Sequence, residues 1–505
     1  MTDWGAGYVT DISYLSGFYA NQSQSLMALA ALLNGNAFRP IRRDESYHLC
    51  DVGCGVGVTA LITAAANPGW RVTGLDFHPG HIAAARKLAR DAGVENVTFL
   101  EVDLREFAAT PECRALDPFD AVSSHGVWSW VEDSVQDGIV ALLNAKLKPG
   151  GLFHVSYNLL TGWQHALGLQ RLIREAGLRL ASRSDRQASA GLQVAKALEE
   201  AGPKISYSEG NGKLMLAKLA EFPQAYVAHE MMNANWRPVM HGDVAAKLAA
   251  AKLDFAGSVR MLNNFPQLVL TEAQRIVLDK FDDPLMLELF KDICRPQMLR
   301  NDVFVRGALR IDPIARDLAL NDIVLALNAQ ESTWLFEFEA ADGKAEMSQT
   351  YYRPIFKRLQ RGPAKVEELL ALPDLQGRRD NPGELLGVAV GTDQAVVMPN
   401  PGVTMDTTCA RLNDVLLRAQ FAGGNGGGPI HFALPAFGHG ITLPNFEGMI
   451  VHELANHPED INNPRDMAAR LAIHQPAEVR SELAERLDRF FANEAPMLRH
   501  FGFSL

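Results

Sequence analysis

A chain of 505 residues, 47% apolar and 21% charged, has the composition of an ordinary globular protein, and its length allows roughly two to four domains with full cores. Its 48 Lys and Arg against 59 Asp and Glu leave a net charge of −11. That balance argues against a general nucleic-acid binder, whose affinity rests on neutralising phosphates. The five cysteines are scattered, without a second pair to complete a zinc site with Cys50 and Cys54, and read as reduced thiols. No apolar run approaches the ~20 residues of a membrane span, and the N-terminus lacks the pattern of a signal peptide. A cytoplasmic protein with no membrane insertion is expected.

Residues 24–34 (QSLMALAALLN) read as a short apolar helix. From 48 to 158 strand and helix signals alternate: HLCDV, then GVTALITAAAN; RVTGLDF, then PGHIAAARKLARDAG; VTFLEVDL; FDAVSSHGVW; a helix over 134–147; and GGLFHVSYN. Such alternation predicts parallel strands with covering helices, a doubly wound α/β domain. After Asn158 the pattern turns helical at 163–182, 188–201 and 213–233. Strand-like runs return at LDFAGSVRM (253–261) and DVFVRG (302–307). These read as late strands of the same sheet, with the helices inserted as a lid or regulatory module. An independent helical domain over 206–295 is the alternative.

From about residue 311 the composition shifts. STWLFEFEAADGKAEM reads as a strand and turn, SQTYYRPIFKRLQRG and AKVEELLAL as helices, and LLGVAV and QAVVMPN as strands. That order suggests a winged-helix-like module. AGGNGGGP (422–429) reads as a loop or linker, and 464–496 as a helical tail of mixed charge. Three parts are expected: a cofactor domain with an N-terminal cap (1–205), a helical regulatory or lid region returning to the last strands (206–310), and an α+β C-terminal domain (311–505).

The loop LCDVGCGVGVT carries the chemistry. Its glycines fit D-x-G-x-G-x-G, with Asp51, Gly53, Gly55 and Gly57. Val58 stands where a dinucleotide fingerprint needs its third glycine, and no Lys-Ser/Thr pair follows for a triphosphate. S-adenosylmethionine (SAM) suits the pattern: glycines admit close backbone approach, and a helix N-terminus favours its carboxylate. Asp76 ends the second strand, placed to accept both ribose hydroxyls, and Asp103 ends the third, placed to accept from the adenine amine. Phe77 and Leu104 follow them at the same strand ends.

This loop resembles motif I of class I SAM-dependent methyltransferases. GYVTDISYLSGFYANQS (7–23), HGVWSW (125–130) and SYNLLTGW (156–163) are similar to segments of bacterial methyltransferases carrying a methyltransferase regulatory domain. The best-understood of these are lysine methyltransferases acting on outer-membrane proteins. The resemblance covers about 7–310. It implies SAM as cofactor, a Rossmann-like sheet, a helical middle domain, a C-terminal domain, a homodimer and a protein acceptor. Thr161 stands where such sequences often have proline.

Methyl transfer needs alignment and exclusion of water more than acid–base chemistry. Tyr14 and Tyr19 precede the fold and either close over the cofactor or pack as a pair. His125 and Trp128 lie past the fourth strand; His125 is a base or lines the cofactor pocket through its backbone. Tyr157, Asn158 and Trp163 follow the fifth strand and line an acceptor channel, Trp163 equally reading as core. VHELAN (451–456) has Asn456 where a zinc-protease helix needs its second His, so no metal is expected. Three functions stay open: a protein lysine methyltransferase, a methyltransferase for a small metabolite or carbohydrate, and a non-enzymatic SAM-binding regulator.

Overall fold

In the computed structural model, which describes residues 5, 7–12, 17–202, 210–377, 381–422, 428–457, 467 and 483–503, seven strands form one sheet. They are β1 (Tyr47–Val52), β2 (Trp70–Asp76), β3 (Val97–Glu101), β4 (Phe119–Ser124), β5 (Leu147–Asn158), β6 (Leu253–Ser258) and β7 (Leu299–Arg306). Their order is β3-β2-β1-β4-β5-β7-β6. The first five run parallel, while β7 is antiparallel to β5 and β6 antiparallel to β7. The chain leaves β1 towards β2 and β3, then returns to its other side for β4 and β5. That reversal opens a crevice at the carboxyl ends of β1 and β4.

β1 is buried along nearly its whole length, as an apolar strand covered on both faces must be. The helix Val58–Ala66 behind it is buried at every one of its nine positions, because β13 (Ile430–Leu434) and β14 (His439–Leu443) of the C-terminal part cover its outer side. The helix Pro79–Ala92 begins where His78 accepts from the backbone of Gly80 and His81, with Pro79 at its first position, and ends on Gly93 in a left-handed turn.

The late strands β6 and β7 join the sheet, so the helices between β5 and β6 are an insertion. The run 213–233 is two helices, Gly210–Leu219 and Gln224–Met231, because Pro223 cannot donate to a continuing helix. Arg300 on β7 binds Glu288 and Asp292 of the helix Pro284–Cys294 at 2.6 Å each, and Asp302 at 2.9 Å. This buried cluster pins the later helices to the sheet.

The C-terminal part has a two-stranded antiparallel hairpin, β9 (Glu337–Ala340) with β10 (Gly343–Glu346), and a three-stranded antiparallel sheet, β11-β8-β12, built from β8 (Val324–Leu327), β11 (Ala364–Lys365) and β12 (Ala395–Val397). LLGVAV is not a strand of a hairpin. It lies in the helix Pro382–Gly391, and β12 pairs with β8 instead. A short all-apolar run does not distinguish strand from buried helix. The start signal stood just before it: Asn381 caps the backbone of Glu384, with Pro382 at the first helical position. Residues 423–427 of the glycine-rich loop, and most of the 464–482 stretch, lie outside the described residues. Among the described residues no helix is long and apolar enough to cross a membrane.

Candidate active site

A cavity of about 740 Å³ opens at the carboxyl ends of β1 to β5. Gly53, Gly55, Asp76, Phe77, Asp103, Leu104 and His125 line one half of it. All three loop glycines have positive φ, of 75°, 54° and 77°. Among the described residues a Cβ at Gly55 would meet nothing within 4 Å, so its bare face opens into the cavity. Gly57 does something else. A Cβ there would lie 2.6 Å from the Phe99 ring, so its bareness serves packing, and it does not line the cavity.

Asp76 joins the loop to β2: one carboxylate oxygen accepts from the Gly55 N–H and the other from the His78 N–H, both at 2.9 Å. Asp103 caps the helix Leu104–Phe107 and lies in the fork of Arg105, whose guanidinium and the hydrogen bonds it donates hold the carboxyl below its ordinary range. Any ligand amine reaching Asp103 shares it with Arg105.

Asp51 sits beneath the loop and not on the cavity wall. Gln22 donates to it at 2.8 Å and to Ser123 at 2.9 Å, and burial pushes its carboxyl up to about 7. Tyr14 lies outside the described residues. The Tyr19 ring stands 4.4 Å from His125. Burial, then the neighbouring His154, lowers the His125 imidazole to about 3, which leaves it neutral and a poor base.

Trp128 and Tyr157, like Asp51 and Gly57, do not line the cavity. Trp128 is buried in the core beside β4, and the cavity wall is supplied by Trp130 two positions on. Tyr157 points to the opposite face of β5, where its hydroxyl meets Asp302 and, at 3.1 Å, His241. Strand alternation gives the cavity Ser156 and Asn158 instead. Among the described residues the buried Asn158 side-chain nitrogen has no hydrogen-bond partner. Trp163 lines the cavity and is also core, its indole N–H donating to the Met298 carbonyl at 2.9 Å.

The other half of the cavity comes from residues the sequence reading left unassigned. Tyr8 packs edge-on against Phe77 with ring centroids 5.9 Å apart. Trp130, Phe222, Tyr226, Glu230 and Met298 complete the wall. The spacing of Tyr226 and Glu230, one helical turn apart, was the available signal.

Sheet order, glycine loop and carboxylates at the strand ends define a SAM-dependent methyltransferase. Residues 50–153 match a methyltransferase domain model, and residues 223–306 match a model described as a predicted methyltransferase regulatory domain. The uncharacterized protein sll1526 of Synechocystis is 31% identical over 368 residues, 72% of this chain and 71% of its own length. The chain belongs to the methyltransferases that carry this regulatory domain. The solved structure of PKMT2 from Rickettsia typhi has the same fold, with a TM-score of 0.65 at 17% identity, covering 97% of this chain and 99% of that one. PKMT2 in complex with AdoHcy aligns with a TM-score of 0.64 at 18% identity, over 87% and 88% of the two chains. SAM is the cofactor, and the open face of Gly55 and the Asp76 carboxylate fit such a ligand.

Proposed function

We propose that this chain transfers methyl groups to lysine side chains of a protein acceptor, with outer-membrane proteins as the acceptor class. The observation that carries the reading is the far half of the cavity. Trp130, Trp163, Met215, Phe222 and Met298 make an apolar wall, suited to the long aliphatic stem of a lysine. The likeness to PKMT2 supports the same direction. When bound, the cofactor supplies an electrophilic methyl group.

The chain's own residues orient and dehydrate. Asp76 takes the ribose hydroxyls, and Asp103 the adenine amine, with Phe77 and Leu104 against the ring. Tyr19 and His125 wall the transfer point, and Asn158 faces the acceptor. Asp51, Gly57, Trp128 and Tyr157 hold this arrangement from behind. In this reading the helices of 206–310 form the acceptor channel and lid, while 311–505 supports acceptor recognition or a homodimer in the cytoplasm.

The test is incubation with isotopically labelled SAM and host lysate, followed by mass spectrometry. Label on lysine peptides is the expected result. Label confined to small metabolites or carbohydrates would replace the protein acceptor with a small one.

A further inference from the structure

Glu230 is a cavity carboxylate that the roles above leave unused. It lies in the last turn of the helix Gln224–Met231 and lines the same cavity as Tyr19, His125 and Asn158. Tyr226, one turn earlier, donates a hydrogen bond to it. Among the described residues no lysine or arginine pairs with it, and burial raises its carboxyl to about 7. A buried carboxylate without a cation is costly. Among the described residues the neighbouring phenols do not supply one. Burial keeps the phenols of Tyr226 and Tyr8 well above their ordinary values and therefore neutral. Tyr19 from the N-terminal cap and Asp76 from β2 act on Tyr8, and the His229 ring lies 5.8 Å from Tyr8. Lys218 stands exposed at the cavity margin.

We propose that Glu230 receives the acceptor's ammonium and takes its proton, as a catalytic residue of the transfer. The proposal rests on the lysine reading. An N–H bond of the ammonium breaks and an O–H bond forms on Glu230. The lone pair left on nitrogen then forms the bond to the methyl carbon, while the S–C pair stays with sulfur. The positive charge that the sulfonium brought leaves on the methylated nitrogen. The acceptor class follows: an alkyl amine, carried in cationic form into an aromatic channel.

Sinefungin tests this without an acceptor, since it carries an amine where SAM carries its methyl sulfonium. Calorimetry at pH 8 should show wild-type protein binding sinefungin at least about 10-fold more tightly than S-adenosylhomocysteine, as one charge-assisted hydrogen bond predicts. In Glu230→Gln that preference should shrink to less than about threefold, with S-adenosylhomocysteine affinity unchanged as evidence of an intact site. A preference retained in Glu230→Gln, or absent in wild type, would overturn the proposal. Should Glu230→Gln fail to fold, the wild-type preference decides: it should grow from pH 6 to pH 8 as Glu230 ionises, and a flat preference overturns the proposal. The lysine reading stands or falls separately, on where the label is found.

Discussion

The backbone N–H of Gly55 donates to the Asp76 carboxylate across 2.9 Å, tying the glycine loop after β1 to the end of β2. One side chain therefore both shapes the loop and faces the ligand. Asp76→Ala removes charge-assisted bonds to the ribose and the anchor of the loop. Affinity for S-adenosylhomocysteine should fall by about 10- to 150-fold, from the loss of about 1.5–3 kcal/mol. Asp76→Asn keeps an acceptor for Gly55 and should fall less. Calorimetry giving wild-type affinity for the alanine variant would remove Asp76 from the cofactor site.

Gly55 and Gly57 should fail in different ways. Gly55→Arg places a side chain in open cavity space at φ 54°, where the backbone strain is about 1–2 kcal/mol. It should abolish cofactor binding and leave the melting temperature within a few degrees of wild type. Gly57→Val meets the Phe99 ring at a left-handed position and should lose roughly 2–4 kcal/mol of stability. If Gly55→Arg binds cofactor normally, the loop does not cradle it.

The glycine wall and the strand-end carboxylates are legible in the sequence because local chemistry sets them: a strand, a turn that needs positive φ, and a helix. The phase of β5 was legible too, since in HVSYN the polar positions His154, Ser156 and Asn158 alternate with Val155 and Tyr157. Reading that alternation would have turned Tyr157 away from the cavity. For Glu230 the sequence offered only its one-turn spacing from Tyr226, and for Tyr8 no comparable signal. Their places in the cavity depend on how the inserted helices and the N-terminal cap fold back over the sheet, which no local pattern encodes. The helix over LLGVAV was hidden by its apolarity, although its cap at Asn381 was readable.

The boundary near residue 310 does not separate independent cores. Ile62 sits so close to Gly440 that a Cβ there would lie 2.7 Å from it, and Asn67 donates to the Gly438 carbonyl at 2.6 Å. Arg43 pairs with Asp406. Removing 311–505 uncovers the fully buried helix Val58–Ala66 that follows the cofactor loop. A chain ending at 310 should aggregate or lose cofactor binding, judged by gel filtration and calorimetry. A monodisperse fragment binding S-adenosylhomocysteine as tightly as the full chain would show that the C-terminal part is dispensable to the core.

Asp51 gives a pH signature of stability. Its folded carboxyl titrates near 7 because of burial, above the ordinary value of about 4. The folded state holds that proton more tightly than the unfolded one, so the stabilisation is full below about pH 4 and is lost as pH rises through 7. Asp51→Asn removes the ionisation and still offers an oxygen to Gln22. The variant should gain roughly 2–4 kcal/mol over wild type at pH 8 and little at pH 4. Melting curves that differ equally at both pH values would contradict a buried, protonatable Asp51.

The chemistry has its own pH signature. An ammonium has no lone pair, and an ordinary lysine of pKa ~10.4 is neutral in only about one molecule in 2,500 at pH 7. A dry channel beside a sulfonium cation disfavours the ammonium and lowers that value. Single-turnover rates at saturating cofactor should therefore climb from about pH 6.5 towards pH 9. Glu230, whose carboxyl burial raises to about 7, ionises in the same window and adds to the rise, whereas His125, held near 3 by burial, stays neutral throughout. Replacing it with phenylalanine should change the rate but not the shape of the profile. A carboxylate acceptor, already ionised above about pH 6, would give a flat line. A flat profile with the fold intact would exclude rate-limiting attack by a lysine that titrates in this range.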